Sequence, residues 1–181
     1  AGCQTIVMLT GGIDLSVAAT ASMSAFVAAS LLEQQGLAVA IIVPLVIAVI
    51  IGVINGIGSG VFRVHPLIMT LGMGLVVFGA SNAWQLLTVK TSSGVPPEIR
   101  QIGSATVLGF VPVSLVVFVP LALIIVIGLR RTGYGRLLYA IGDNPIAARL
   151  SGARSWQVLV VLYAISAVLA AIAGYLISGF T

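Results

Sequence analysis

A few polar side chains lie inside long apolar stretches of this 181-residue chain, and their chemistry is the most informative feature of the sequence. These residues are Asp14, Ser16, Asn55, Thr70, Asn82 and Gln85. Carboxylate, hydroxyl and amide groups can form hydrogen bonds with a hydroxylated solute, so the set predicts a candidate translocation path through a membrane. The same groups can equally satisfy one another between helices. The sequence leaves both roles open.

Asp14 and Ser16 follow a pair of glycines, Gly11 and Gly12, which should interrupt a helix. One interpretation is a polar turn at the membrane interface, in which Asp14 or Ser16 caps the next helix. The other is a discontinuous helix, whose freed backbone groups and Asp14 face a protein-lined cavity or a partner span. For Asn55, a hydrogen bond between helices is the plainer expectation, and contact with a ligand is the alternative.

The sequence lacks the residues that several other kinds of chemistry require. The sequence contains no G-x-x-x-x-G-K-[ST] phosphate-binding loop and no nucleophile beside a base. His65 is the only histidine and has no second metal ligand at a useful spacing. Cys3 is the only cysteine, so it cannot form an internal disulfide. We therefore predict that the chain is not an enzyme and binds no cofactor or metal, so energy for transport must come from elsewhere.

The composition requires that these polar residues be positioned by membrane-embedded elements. The chain is 60% hydrophobic and 7% charged, with a mean hydropathy of +1.23. Soluble domains carry about 25% charged residues, so a soluble globular protein is excluded. The expected fold class is an all-α integral membrane protein, a polytopic transmembrane helix bundle with about five spans and a broken helix near GGIDLS. Membrane topology and anionic lipid headgroups explain the net charge of +4 better than nucleic acid does.

Five apolar runs are the candidate spans, at residues 17–32, 37–62, 67–89, 111–129 and 156–177. Within the second run, Gly52, Gly56 and Gly60 recur every four residues. Small residues at this spacing lie on one helix face and permit close packing against another helix. The sequence therefore predicts that these three glycines form a helix-packing ridge.

Basic residues fix the expected orientation of the spans. Segment 130–155 contains five of the eight basic residues, namely Arg130, Arg131, Arg136, Arg149 and Arg154. Loops rich in arginine between spans lie on the cytoplasmic side. We therefore expect segments 130–155 and 63–66 to be cytoplasmic and segments 33–36 and 90–109 to lie outside.

Segment 130–155 also predicts a short helix with defined ends. Asn144 suits the N-cap, Pro145 suits the first helical position, and Gly152 suits a left-handed residue after the last turn. Ile146 and Leu150 would lie one turn apart on the same face. A helix of two turns is marginal in water alone, so it should dock against something, and a partner protein is the obvious candidate. The simpler alternative is a solvated loop that only sets topology.

Two stretches resemble a known family. The run GRLLYAIGDNPIAARLSG at 135–152 closely resembles the main cytoplasmic loop of sugar-importing ABC transporter permeases, the ribose-permease-like family, and GGIDLSV at 11–17 is similar to a second signature of that family. Weaker similarity extends over residues 2–181. The chain departs from the family at Ala18, where a further glycine is usual, and at Phe78, where many members have arginine.

The resemblance implies one transmembrane permease domain over residues 1–181, an internal fragment of a longer chain, with a cytoplasmic coupling loop at 130–155. In the family, a helix of this loop seats in a groove of the ATPase subunit. The residues of this chain that match the coupling loop are Gly135, Arg136, Asp143, Asn144, Pro145, Ala147, Ala148, Arg149, Ser151 and Gly152. Ala147 and Ala148 are small, as a helix lying deep in a groove requires.

The function implied by the resemblance is that of a multi-pass permease subunit in the bacterial cytoplasmic (inner) membrane. It would translocate a ribose-type monosaccharide in an ATP-driven ABC importer. The implied partners are a cytoplasmic ABC ATPase subunit, a periplasmic or extracellular sugar-binding protein, a second permease subunit in a homo- or heterodimer, and membrane lipid, but no nucleic acid. The alternatives are a branched-chain amino-acid ABC permease and, in a different class, a secondary transporter or channel.

Overall fold

The computed structural model describes residues 2–88, 106–107 and 111–178, apart from the side chains of residues 33, 34, 106 and 107. Within these ranges the chain is almost entirely helical. In chain order the helices are α1 (Gly2–Met8), α2 (Val17–Gln35), α3 (Leu37–Gly60), α4 (Pro66–Thr88), α5 (Val113–Arg131), α6 (Gly133–Asp143), α7 (Pro145–Leu150) and α8 (Ser155–Ser178). Two short strands, β1 (Thr106–Val107) and β2 (Val111–Pro112), pair antiparallel. Most of the predicted outer loop at 90–109 lies outside the described residues.

Four of these helices, α3, α4, α5 and α8, are long and apolar enough to cross a membrane. The apolar part of α2, Val17–Leu32, is shorter. Between α1 and α2 the chain leaves the helical conformation, and Gly11 adopts a positive φ of 72° there. The predictions of an all-α polytopic membrane bundle and of a helix broken near GGIDLS are therefore confirmed.

The centre of the bundle is the contact between α3 and α8, and α2 packs on both of them. The three ridge glycines of α3 face the α8 backbone. A Cβ atom added at Gly52 would lie 2.6 Å from Ala164 Cα, one at Gly56 would overlap Val160 Cα, and one at Gly60 would lie 3.0 Å from Trp156 Cα. The two helices therefore touch backbone to backbone along three successive turns.

Segment 130–155 contains more structure than the single short helix that the sequence predicts. Helix α6 precedes the predicted helix, α7. Thr132 caps α6 by accepting a hydrogen bond from the Gly135 N–H at 3.2 Å. The apolar side chains of Leu138 and Ile141 are buried in a cluster that also contains Val7 of α1. The sequence analysis did not identify α6, whose buried side chains, one turn apart, pack against the neighbouring helices.

Candidate functional site

The break between α1 and α2 forms a buried hydrogen-bonded joint that connects three other helices. Asp14 is only 4% exposed. Its Oδ1 accepts hydrogen bonds from the Ser16 hydroxyl at 2.6 Å and from the Ser16 N–H at 3.0 Å. Its Oδ2 accepts from the Ser166 hydroxyl of α8 at 2.9 Å. Asn55 of α3 donates through Nδ2 to Ser16 Oγ at 2.9 Å, so one carboxylate organises contacts to α3 and α8.

Thr70 connects the fourth helix, α4, to the same joint. Its hydroxyl oxygen accepts the Leu15 N–H at 3.0 Å and donates to the Ile13 carbonyl at 3.2 Å. Both partners are main-chain groups that the helix break leaves without an intrahelical bond. Irregular backbone at membrane depth is tolerated only where protein groups or water satisfy it. Thr70 therefore stabilises the broken conformation directly.

The structure bears on the two interpretations of GGIDLS. Asp14 and Ser16 are both buried against neighbouring helices, which favours the discontinuous helix over an exposed polar turn. Ser16 stands at the N-cap position of α2, yet its side chain makes no capping bond; its oxygen accepts from Asn55 Nδ2 instead. The segment is a discontinuous helix whose freed groups face partner spans.

The six candidate path residues therefore separate into two groups. Asp14, Ser16, Asn55 and Thr70 meet in one buried network, where each forms a bond with another part of the chain. Asn82 and Gln85 lie on the exposed surface of α4 and do not join it. The four clustered residues are buried and hydrogen-bonded within the chain. A translocation path lined by the six residues therefore stays a prediction.

Tyr163 of α8 is a member of this region that sequence reasoning missed. Its side chain is 1% exposed, and its hydroxyl is 3.0 Å from the position that a Cβ atom on Gly12 would occupy. Within the described part of the chain, Asn55 Oδ1 has no hydrogen-bond partner. Tyr163 stands three residues before Ser166, and this helical spacing is the signal that could have identified it.

The ends of helix α7 follow from its flanking residues. Asn144 Oδ1 accepts hydrogen bonds from the N–H groups of Ile146 and Ala147 at 3.1 and 3.0 Å. Pro145 occupies the first turn, and Gly152 adopts a positive φ of 86° after the last one. The helix therefore has a side-chain cap at its start and a left-handed residue just beyond its end.

The two faces of α7 differ sharply. Ile146 and Leu150 are 69% and 85% exposed, whereas Ala148 is 4% exposed and belongs to the buried cluster with Leu138 and Ile141. Of the two small residues expected on a docking helix, Ala147 is exposed and Ala148 packs inside this chain, and their role in coupling stays a prediction. Residues two positions apart lie on opposite sides of a helix, so exposing Ile146 and Leu150 turns Ala148 inward.

The remaining residues of the predicted coupling set surround this helix. Gly135 is buried, and a Cβ atom there would overlap the Leu129 carbonyl. Arg136, Asp143, Arg149 and Ser151 are exposed. Together they leave a largely basic, solvent-exposed surface around the outward face of α7.

Tyr134 fixes α6 to the base of α8. Its hydroxyl donates to the Val158 carbonyl at 2.8 Å. Burial raises the pKa of Tyr134 above its ordinary value. The phenol therefore stays protonated and able to donate at physiological pH. Helices α6 and α7 are in this way attached to a span rather than suspended in a flexible loop.

Comparison with known proteins identifies the family. A family model described as "Branched-chain amino acid transport system / permease component" matches residues 3–181. The ribose import permease of Bacillus subtilis is 36% identical over 176 residues, which cover 97% of this chain and 54% of that protein. The fructose import permease of Rhizobium meliloti is 31% identical over 183 residues, covering 97% of this chain and 51% of that protein.

An autoinducer 2 import system permease of Yersinia enterocolitica is 31% identical over 182 residues, covering 97% of this chain and 54% of that protein. No solved structure matches the chain. The chain spans about half the length of these curated relatives. Because the family model covers nearly all of the sequence, the chain belongs to the branched-chain amino acid transport system permease family, in which it is similar to sugar import permeases.

Proposed function

We propose that this chain is part of the membrane-spanning permease subunit of an ATP-driven importer that carries a monosaccharide across the bacterial cytoplasmic membrane. The similarity to ribose and fructose import permeases supports a sugar over a branched-chain amino acid. The partners would be a cytoplasmic ATPase, an external sugar-binding protein and a second permease subunit. The ATPase would supply the energy.

The observation that carries this proposal is the exposed apolar pair on α7. Ile146 and Leu150 are the outward side chains of a capped helix outside the spans. Exposed apolar groups on a rigid helix are typical of a helix that docks in a groove of another protein. The inner face of α7 is anchored through Ala148 in a buried cluster with Leu138 and Ile141. A partner that displaces α7 would therefore also displace this cluster.

A continuous set of packed side chains leads from α7 into the membrane. The cluster around Ala148 includes Leu138 of α6 and extends to Leu162 and Tyr163 of α8. Tyr163 in turn borders the break that contains Asp14. Movement of α7 can therefore reach the buried joint around Asp14 through side chains in contact. We propose that this joint is the packed element that changes when the permease switches between inward and outward access.

The test is a charge substitution on the outward face of α7. In the complete importer reconstituted in vesicles, we expect Ile146→Asp with Leu150→Asp to abolish ATPase activity stimulated by the binding protein, together with uptake of radiolabelled ribose or fructose. Burying one such side chain contributes about 1.5–3 kcal/mol, so losing two should weaken docking more than tenfold. Ala148→Trp would be a poorer test because it would disrupt the buried cluster.

Leu137→Asp provides the matched control, because Leu137 is an exposed leucine on the adjacent helix α6. It should retain most of the uptake. Uptake and ATPase co-purification at wild-type levels in the double variant would refute a coupling role for α7. Uptake of radiolabelled leucine in place of either sugar would instead assign the permease to amino-acid import.

A further inference from the structure

A basic cavity lies where the ends of three spans meet. It has a volume of about 470 Å³ and lies between the turn from α3 to α4 and the segment from α7 to α8. Three exposed arginines line it, Arg63, Arg149 and Arg154. No acidic side chain of the described residues lines the cavity. Three positive charges are therefore held together without a counter-charge from this part of the chain.

The cavity lies at the ends of spans, where we expect the membrane surface. Gly60 is the last residue of α3, and a Cβ atom there would lie 3.0 Å from Trp156 Cα, near the start of α8. The ends of these two spans are therefore level with each other. Trp156 also lines the cavity and is 45% exposed. Tryptophan is enriched at the depth of lipid headgroups, and arginine on this side of the spans predicts the cytoplasmic leaflet.

Hydroxyl and imidazole groups add neutral donors to the arginines. Ser59 and Ser155 also line the cavity, and the Ser155 hydroxyl oxygen is buried without a hydrogen-bond partner among the described residues. His65 accepts the Leu67 N–H through Nδ1 at 3.3 Å, so in the neutral ring Nε2 carries the proton. Guanidinium and hydroxyl donors with no competing carboxylate are the groups that bind phosphate oxygens.

We propose that this cavity binds the headgroup phosphate of an anionic phospholipid of the cytoplasmic leaflet. The excess of positive charge favours an anionic lipid over a zwitterionic one, because a choline or ethanolamine amine would be repelled by the remaining arginines. The bound phosphate would connect the α3–α4 turn, through Arg63, with α7, through Arg149. The lipid would thus hold the base of α7 in place. This inference does not depend on the transported solute.

The test measures lipid binding to the purified, delipidated permease by native mass spectrometry. The probes are phosphatidylglycerol, phosphatidylcholine and inorganic phosphate. We expect Arg63→Gln with Arg154→Gln to weaken phosphatidylglycerol binding about 30-fold, at about 1 kcal/mol per basic residue. Arg130→Gln with Arg131→Gln removes the same charge from the end of α5, outside the cavity, and should change binding less than threefold.

Each other outcome would overturn the proposal in a specific way. Equal losses in the two double variants would show only diffuse attraction to basic residues. Equal binding of phosphatidylcholine and phosphatidylglycerol would remove the charge argument. Inorganic phosphate that binds where phosphatidylglycerol does not would assign the cavity to a soluble anion. Unchanged lipid binding combined with loss of ATPase co-purification would assign the arginines to an acidic surface of the ATPase, while leaving the docking role of α7 intact.

Discussion

The backbone contact between α3 and α8 leads to a quantitative prediction for Gly52→Ala. The added Cβ atom would lie 2.6 Å from Ala164 Cα, whereas non-bonded carbons lie about 3.5–4.0 Å apart. The obstacle is backbone, so no rotamer change can relieve it, and α3 must withdraw from α8 by roughly 1 Å. Overpacking of this kind costs about 1–3 kcal/mol.

Gly58→Ala is the matched control on the same helix. Its Cβ atom would meet the Met69 side chain, with Sδ at 2.5 Å, and a flexible thioether can move aside. Both variants gain about 1 kcal/mol of helix propensity, so their difference isolates the cost at the backbone. At about 2–4 °C per kcal/mol for a chain of this size, Gly52→Ala should melt roughly 2–12 °C below Gly58→Ala.

The assay is thermal unfolding of the purified permease in detergent, followed by tryptophan fluorescence, with each variant measured at the same detergent concentration. Matching melting temperatures for the two alanine variants would refute the claim that the ridge is a close-packed surface. A lower melting temperature for Gly58→Ala would refute it more strongly, because the flexible contact would then be the costlier one.

Two further predictions concern orientation and the buried joint. In a cysteine-free background of the full-length permease, Ser151→Cys should react with an impermeant thiol reagent only from the cytoplasmic side and Ser92→Cys only from outside. The reverse pattern would invert the topology. Asp14→Asn should lower the stability by about 1–3 kcal/mol, because an amide NH₂ then faces a hydroxyl or N–H donor. Ser166→Ala should lower the stability less. An Asp14→Asn variant as stable as the wild type would show that the carboxylate does not hold the joint.

Much of the fold could be predicted from composition and local punctuation. Uninterrupted apolar runs predict the spans to within a few residues, because a helix is the structure that satisfies an isolated backbone segment in lipid. Asn144 and Gly152 define α7 because capping depends on neighbours in sequence. The same local reasoning did not identify α6, because its apolar run, Leu137–Ile141, spans only about five residues between Arg136 and Gly142.

Partners distant in sequence could not be predicted. Asp14 and Ser166 are separated by 152 positions, and no local pattern pairs them. Exposure of Asn82 and Gln85 likewise depends on which side of α4 faces the bundle, and the mixed polarity of that helix does not decide this. The inward direction of Ala148 followed only once α6 was present to pack against it.

The bond from Asp14 to Ser166 also has a consequence for biogenesis. Asp14 is synthesised 152 residues before its α8 partner, Ser166. Until then the carboxylate lacks one of its donors in a membrane where a central aspartate costs about 2.5–3.5 kcal/mol. We expect the segment around Asp14 to wait beside the insertion machinery, or at the bilayer surface, until α8 arrives. Arrival of α8 would then commit the earlier helices to the lipid, and chains released before it would present a mispaired acidic segment to membrane proteases.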